Sequence, residues 1–243
     1  MRDVLLLSTS TVHGSRFLEY AETDIRTFFS ECATVLFVPF ARPGGVTHDG
    51  YTELVRTRFR EMGLGLVGLH EYADSVAAVN DAEGVFVGGG NTFVLLRALH
   101  EAELLEPLRA RALAGMPYMG SSAGSNLAGL TIGTTNDMPI VEPTSFRALE
   151  LVPFNINPHY LDPDPGSTHM GETRETRIGE FHHFNSQAVL GLREGAMLRA
   201  EGNAARVMGS GGGRLFACQS DPVEIEPDSD VSFLFEADFQ PGR

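Results

Sequence analysis

The chain has 243 residues, of which 42% are hydrophobic and 21% are charged, so it is long enough to bury a large core. Its formal net charge is -14, and every basic residue except histidine is arginine. This acidic balance argues against nucleic acids and anionic membrane surfaces as partners, since both attract clustered basic residues. A small acidic substrate is compatible with it, because salt screens the global field and one arginine in a site can outweigh that field.

The two cysteines, Cys32 and Cys218, lie beside apolar runs and are predicted to be free core thiols, as in a reducing compartment. The apolar run 4–7 is too short for the core of a signal peptide, and no segment approaches the length of a membrane span. The sequence therefore predicts a cytoplasmic protein. No linker or repeat divides residues 1–243, which are predicted to form one domain.

Short apolar runs alternate with amphipathic stretches along the first half of the chain. Strands are predicted at 3–8, 33–39, 64–69, 84–87 and 116–119. Helices are predicted at 16–30, 48–62, 75–82 with Ser75 as its N-cap, 91–100 and 104–114. This alternation predicts an α/β fold, with a mostly parallel sheet and helices on both faces. Ligands bind such sheets beyond the carboxyl ends of the strands.

The second half of the chain is less regular. Residues 131–165 are predicted to be irregular and polar, a helix is predicted over 172–184, and short strands follow residue 188. The segments 223–225 and 231–235 flank the turn sequence 227–230 and predict a C-terminal β-hairpin.

The most informative segment is Gly-Ser-Ser-Ala-Gly at 120–124, between a predicted strand and a helix from residue 125. Gly-x-Ser-x-Gly in this context is typical of a nucleophile elbow, a tight turn that exposes the central serine above a sheet. The flanking glycines are expected because a Cβ there would collide with a neighbouring strand or helix. The helix would direct its first N–H groups at developing negative charge. Ser122 is therefore the candidate nucleophile.

A nucleophilic serine needs a base and an acid that orients the base. His159 follows Pro158 in a loop and is the candidate base, although a lone loop histidine is more often a surface residue. Two carboxylates are candidates for the acid. Glu194 otherwise reads as a solvated turn carboxylate, and Asp137 as an Asx-turn residue before a proline. The residues alone leave this choice open.

The oxyanion hole requires two N–H groups near the elbow. One is that of Ala123, and the glycine loop 88–90 offers the other at Gly89. This loop lacks the spacing of a dinucleotide or P-loop motif, so nucleotide binding is discounted. The pair His182 and His183 is interpreted as a solvated helix face rather than a metal site.

Taken together, these segments resemble the peptidase E family of serine peptidases, the α-aspartyl dipeptidases. Seven segments match in register over most of the chain: 5–11, 37–41, 87–93, 122–128, 134–141, 156–159 and 171–175. The resemblance implies a fold like that of class I glutamine amidotransferases and hydrolysis of dipeptides with an N-terminal aspartate. It also implies that the enzyme needs no cofactor and forms a homodimer with active sites near the interface.

The resemblance also assigns roles to matching positions. Ser122 is the nucleophile, His159 the base and Glu194 the triad acid, while Asp137 matches a second important acidic position that organises the site or receives the substrate amine. Arg174 matches the residue expected to bind the substrate's side-chain carboxylate, which a guanidinium grips bidentately. The remaining predicted site residues are the oxyanion donors Gly89 and Ala123 and the substrate-binding residues Gly90 and Asn91.

The chain departs from the family pattern at two places. Ser121 stands where relatives often carry a bulky aromatic residue, and the loop after His159 up to Gly171 differs and is slightly longer. Both changes affect substrate selection more than chemistry. Alternative functions are therefore a relative with another acidic substrate, such as a cyanophycinase-like enzyme or an esterase, and a non-catalytic small-molecule-binding protein.

Overall fold

A computed structural model describes residues 1–168 and 170–236 of the chain. The strands that it defines are β1 Asp3–Leu7, β2 Thr34–Val38, β3 Gly65–Gly68, β4 Gly84–Val87, β5 Tyr118–Ser121, β6 Asn155–Asn157, β7 Val189–Leu192, β8 Ala196–Glu201, β9 Ala204–Gly209, β10 Gly213–Phe216 and β11 Val223–Ile225. One sheet has the order β3-β2-β4-β5-β1-β8-β9. Its first five strands are parallel, β8 is antiparallel to β1, and β9 is antiparallel to β8. A smaller sheet has the order β11-β10-β7-β6.

Helices cover both faces of the larger sheet, as predicted. They are α1 Glu22–Phe28, α2 His48–Glu61, α3 Ser75–Asp81, α4 Thr92–Glu101, α5 Leu105–Ala114, α6 Ala123–Asn126 and α7 Arg174–Phe181. Strand β1 shows how the two layers form. Val4 and Leu6 pack with α3, α4 and α5, whereas Leu5 and Leu7 pack with α1 and α2. Successive side chains of a strand point to opposite faces, so a continuous apolar run fits a sheet that is buried on both sides.

Several helix ends differ from the sequence prediction, and three of the differences have a clear physical cause. The first helix begins at Glu22 rather than residue 16, because Leu18 has a φ of 55° and its N–H donates to the Ser10 carbonyl, which no helix permits. Ser75 is not the N-cap of α3. The Asp74 carboxylate takes that role by accepting the Ala77 N–H at 2.9 Å. Helix α7 is shorter than predicted, since Thr173 caps its start.

The predicted C-terminal hairpin is wrong. Residues Ser232–Phe235 form a 3₁₀ helix, and β11 pairs instead with β10 in an antiparallel ladder. The burial explains this outcome, because Val231 and Leu234 are both buried and lie three residues apart, which is the repeat of a 3₁₀ helix. The Asp230 carboxylate accepts the Ser232 N–H at 2.8 Å and turns the chain before a second strand can start.

The carboxyl ends of several strands converge above the larger sheet. β1 ends at Leu7, β4 at Val87 and β5 at Ser121, and the smaller sheet brings the ends of β6 and β7 beside them. Across residues 1–168 and 170–236, none of the helices has the length and apolar character to cross a bilayer. The candidate residues follow these strand ends, where the alternating pattern predicted a site.

Candidate active site

Ser122 occupies a strained turn between β5 and α6. Its φ and ψ are 53° and -108°, which non-glycine residues rarely adopt. Its own N–H donates to the Leu7 carbonyl at 3.0 Å and fixes the turn to β1. A Cβ on Gly120 would overlap the Gly124 carbonyl, and a Cβ on Gly124 would overlap the Val87 carbonyl. The glycine requirement of the predicted elbow is therefore confirmed.

Replacing Gly124 should destabilise the whole site. We expect Gly124→Ala to lower the free energy of unfolding by about 3 kcal/mol, the upper range for overpacking, because the new methyl meets the rigid backbone of β4. Gly179→Ala is the matched control: Gly179 lies within α7 and nothing surrounds the position of its Cβ. The free energy of unfolding of that variant should be unchanged or higher by up to about 1 kcal/mol, because alanine favours a helix more than glycine does. Urea unfolding of both variants measures the difference, and equal stabilities would contradict the steric account.

The structure brings His159 to Ser122. The Ser122 hydroxyl lies 3.0 Å from His159 Nε2, and Nδ1 of the same ring lies 2.9 Å from Glu194 Oε1. With Nδ1 protonated and donating to the carboxylate, Nε2 is free to accept the serine proton. The sequence prediction of a Ser–His–acid arrangement thus has the required geometry, and the imidazole is 38% exposed at the mouth of the site.

Glu194 and Asp137 occupy different surroundings. Glu194 lies in the turn after β7 and contacts the imidazole, with 53% of its side chain exposed. Asp137 instead faces the start of α4, where its Oδ2 accepts the N–H and hydroxyl of Thr92 at 2.7 and 2.6 Å and the hydroxyl of Thr135 at 3.1 Å. The residues alone left open which of these two carboxylates orients His159. Within the described ranges, only Glu194 is hydrogen-bonded to it.

The glycine loop after β4 lies against the elbow. A Cβ placed on Gly89 would be 3.1 Å from the Ser122 Cβ, so this backbone directly borders the nucleophile. The N–H groups of Gly88 and Asn91 are used by the Val38 and Ala41 carbonyls. The N–H groups of Gly89 and Ala123 meet no backbone acceptor in residues 1–168 and 170–236, which leaves both available to an oxyanion.

Gly90 and Asn91 shape this loop. Gly90 has a φ of 150°, and a Cβ there would overlap the Ala41 carbonyl. The side chain of Asn91 caps α4 by accepting the N–H groups of Phe93 and Val94, each at 3.1 Å, and its amide nitrogen donates to the Met138 carbonyl at 2.9 Å. Both residues therefore have structural roles that the sequence analysis did not assign, and their contact with substrate stays a prediction.

Arg174 is the first residue of α7 and is half-buried. An exposed arginine at this position of a helix could pair with Glu175 or Glu180, but Glu175 Oε2 instead lies 3.4 Å from Arg214 Nη2. Among the described residues Arg174 forms no ion pair within 4 Å. Burial, and secondarily the positive charge of Arg177, lower the pKa of Arg174, while Asp137 opposes the shift. An unpaired, partly desolvated guanidinium is suited to bind an anionic ligand.

Arg177 is a residue that the sequence analysis missed. It lies one turn after Arg174, and the two side chains line a small cavity of about 50 Å³ together with Asn157 and Thr135. The sequence did indicate this position, because residues three apart on a helix share a face and Arg177 lies three residues after Arg174. The two arginines place local positive charge in a chain whose net charge is -14.

The divergent loop after His159 is anchored by charge. The guanidinium of Arg193 donates to both Asp162 carboxylate oxygens, at 2.6 and 2.8 Å, and also pairs with Glu224. It lies over the ring of Tyr160, 5.9 Å from its centroid. Burial raises the pKa of Tyr160 to about 12, so its phenol stays neutral. The residue before Glu194 thus fixes the chain that follows His159.

Metal ligands do not cluster in the part of the chain that the structure describes, where no group of three His, Cys, Asp or Glu side chains could hold an ion. The His182 ring bonds to the Gln187 carbonyl at 3.0 Å. Cys32 and Cys218 are free thiols, as predicted, although only Cys32 of the two is buried.

The family model for peptidase family S51 matches residues 4–208, a range that contains the elbow, His159 and Glu194. The chain belongs to peptidase family S51. It is 50% identical over 234 residues to peptidase E of Streptomyces coelicolor, covering 96% of this chain and 95% of that protein. It is 48% identical over 238 residues to a Drosophila melanogaster protein named "probable alpha-aspartyl dipeptidase", covering 97% and 98%. Peptidase E of a Nostoc species is 43% identical over 235 residues, covering 96% of each chain.

Solved structures support the fold of this S51 member. A peptidase from an acI-B1 actinobacterium superposes with a TM-score of 0.71 at 15% identity, covering 96% of this chain and 97% of that one. A candidate peptidase E protein from Listeria monocytogenes gives a TM-score of 0.65 at 21% identity, covering 86% and 98%. The predicted α/β class, with the exception of the hairpin, is confirmed.

Proposed function

We propose that this S51 peptidase is a serine-type dipeptidase that hydrolyses Asp-X dipeptides through an aspartyl-enzyme intermediate. The observation that carries the proposal is the hydrogen-bonded series Ser122–His159–Glu194 at the mouth of a nucleophile elbow. The substrate class is supported by full-length relatives named peptidase E and alpha-aspartyl dipeptidase, at 48–50% identity. Among the described residues Arg174 has no ion-pair partner within 4 Å, and its charge interacts with that of Asp137; both observations support an acidic substrate side chain.

Acylation starts when Ser122 attacks the carbonyl carbon of the N-terminal aspartate. His159 Nε2 takes the hydroxyl proton as the new C–O bond forms, and the Glu194 carboxylate stabilises the resulting imidazolium. Negative charge that develops on the carbonyl oxygen is met by the N–H groups of Gly89 and Ala123. The imidazolium then gives its proton to the leaving amine, and the C–N bond breaks.

Deacylation repeats these steps with water. His159 removes a proton from the water molecule, the hydroxide attacks the aspartyl ester, and Ser122 leaves with the proton from the imidazolium. Free aspartate and the second amino acid are the products. No step calls for an additional cofactor.

Recognition of aspartate requires one cation and one anion beside the scissile bond. Arg174 would take the β-carboxylate of the substrate, with Arg177 on the same cavity. Asp137, whose charge reaches Arg174, would take the α-ammonium group. The charge of the β-carboxylate favours Asp over Asn, and the fixed positions of Arg174 and Asp137 favour Asp over the longer Glu.

Hydrolysis of an Asp-X series against matched Asn-X and Glu-X dipeptides tests the proposal. We expect kcat/KM to be highest for Asp-X, with selectivity over Asn-X worth several kcal/mol, because the Asn amide leaves the guanidinium without a charged partner. A cyanophycin-type polymer and a simple ester are included. Preference for either of these over every dipeptide would replace the dipeptidase assignment.

The triad acid is tested by paired amide substitutions. Glu194→Gln removes the charge that orients His159 and should lower kcat by about 10²–10⁴-fold, as expected for loss of the acid of a triad. Asp137→Asn keeps an oxygen that can accept from Thr92 and should act mainly on KM. Steady-state kinetics separate the two. A larger loss of kcat in Asp137→Asn than in Glu194→Gln would assign the role of triad acid to Asp137 instead of Glu194.

The cellular setting of the proposed enzyme is the cytoplasm, in keeping with its two free thiols. We also propose a homodimer, which the resemblance to peptidase E implies.

A further inference from the structure

Ser8 is a fully buried polar residue at the end of β1 that the triad chemistry does not use. Buried hydroxyl groups need hydrogen-bond partners, and the identity of those partners shows what the residue fixes. The Ser8 hydroxyl accepts the backbone N–H of His159 at 2.9 Å and donates to the Leu192 carbonyl at 2.7 Å. One side chain therefore joins the segment of the base to the segment that leads to Glu194.

The backbone of Ser8 adds a third attachment. Its N–H donates to the Ala196 carbonyl at 3.0 Å, so Ser8 holds Leu192 on one side of the Glu194 turn and Ala196 on the other. The Tyr160 N–H reaches the same Leu192 carbonyl at 3.0 Å. The turn that carries the acid and the loop that carries the base are thus fixed to a common point on the central sheet.

His159 needs such support because its φ is 52°, a left-handed value that is strained for a residue with a side chain. Strained backbone persists only where the surroundings hold it. Within the peptide group that joins Pro158 to His159, Asn136 donates to the Pro158 carbonyl at 2.6 Å. Ser8 accepts the His159 N–H itself, and that nitrogen is bonded directly to the Cα that carries the imidazole.

We propose that Ser8 is a positioning residue that sets the Ser122–His159–Glu194 alignment by holding His159 and both sides of the Glu194 turn. The inference rests on the proposed serine mechanism and concerns alignment alone. Ser8 touches no reacting atom. Its effect therefore falls on the chemical step rather than on substrate binding, because small displacements of a base cost far more in kcat than in affinity.

The test compares Ser8→Ala with Ser125→Ala. Ser125 is equally buried, and its hydroxyl donates to the Leu7 carbonyl at 2.7 Å. Both variants therefore lose buried hydrogen bonding at the same sheet end, two bonds in Ser8→Ala and one in Ser125→Ala. We expect Ser8→Ala to lower kcat on Asp-X by about 10–100-fold with KM within about twofold. The downfield proton resonance of the His159 Nδ1–H···Glu194 bond should broaden or disappear. The same resonance should persist in Ser125→Ala. That variant controls for effects that come only from lower stability.

Ser8→Cys is the second variant, used because Ser8→Ala could fail to fold. It preserves the side-chain shape but weakens both hydrogen bonds, so it should show the same loss of kcat in a smaller degree. Wild-type kcat and an unchanged resonance in a folded Ser8 variant would overturn the inference. An inactive wild-type enzyme on every Asp-X substrate would instead reject the proposed function, so the two failures are distinguishable.

Discussion

Ser122→Ala should abolish hydrolysis of Asp-X while the fold stays intact. The substitution removes the only atom in the proposed mechanism that forms a covalent bond to substrate. Among the described residues the Ser122 hydroxyl bonds only to His159 and does not cap α6. The Ser122 N–H bond to Leu7 and the hydrogen bonds that start α6 use backbone atoms, which alanine retains. We expect kcat to fall by at least about 10⁴-fold, the scale of triad loss, with an unchanged unfolding midpoint.

Ser121→Ala is the control for this prediction. Ser121 is fully buried beside the nucleophile, and its hydroxyl has no partner among the described residues. Removing an unsatisfied hydroxyl should leave stability equal or slightly higher, and turnover should continue. Activity retained in Ser122→Ala, at a level that contaminating host enzyme does not explain, would remove the serine from the reaction.

Arg174→Ala should reduce hydrolysis of Asp-X much more than hydrolysis of a neutral activated ester. We expect kcat/KM on Asp-X to fall by about 10–100-fold, the worth of one or two charge-assisted hydrogen bonds. The neutral ester lacks the carboxylate and should change by less than about threefold. The Asp-over-Asn preference should shrink in the same proportion, because Arg174 interacts with the charge that distinguishes the two side chains.

Arg26→Ala controls for the change of net charge. Arg26 is an exposed residue of α1 and makes the same one-unit change in a chain of charge -14. Surface charges are screened within about 10 Å, so kcat/KM on both substrates should be unchanged in this variant. Equal losses on Asp-X and on the ester in Arg174→Ala would assign Arg174 to the structure of α7 rather than to recognition.

Local patterns were sufficient to predict the strand–helix alternation and the elbow. Each depends on residues close in sequence: continuous apolar runs for strands buried on both faces, and glycines where a Cβ would overlap backbone. The C-terminal hairpin failed because the apolar spacing in 231–235 fits a strand and a 3₁₀ helix equally well, and Asp230 decides between them through a bond to Ser232.

The partner of His159 could not be predicted from the residues alone, because it depends on strand register. β6 is only three residues long and two of them are asparagine, so its sequence carries no strand signal. It pairs in parallel with β7, with Asn157 opposite Gly191. His159 and Glu194, each two residues beyond the end of its strand, therefore meet. Asp137 does not follow a paired strand, and its carboxylate binds Thr92 at the start of α4.

The central claim is that His159 activates Ser122 for covalent chemistry. Labelling the wild-type enzyme with a fluorophosphonate, followed by peptide mass mapping, tests it most directly. The account predicts one label per chain on Ser122, protection by an Asp-X dipeptide, and loss of hydrolysis in proportion to the labelled fraction. Full hydrolysis by enzyme that is labelled at Ser122, or active enzyme that takes no label there, would contradict it.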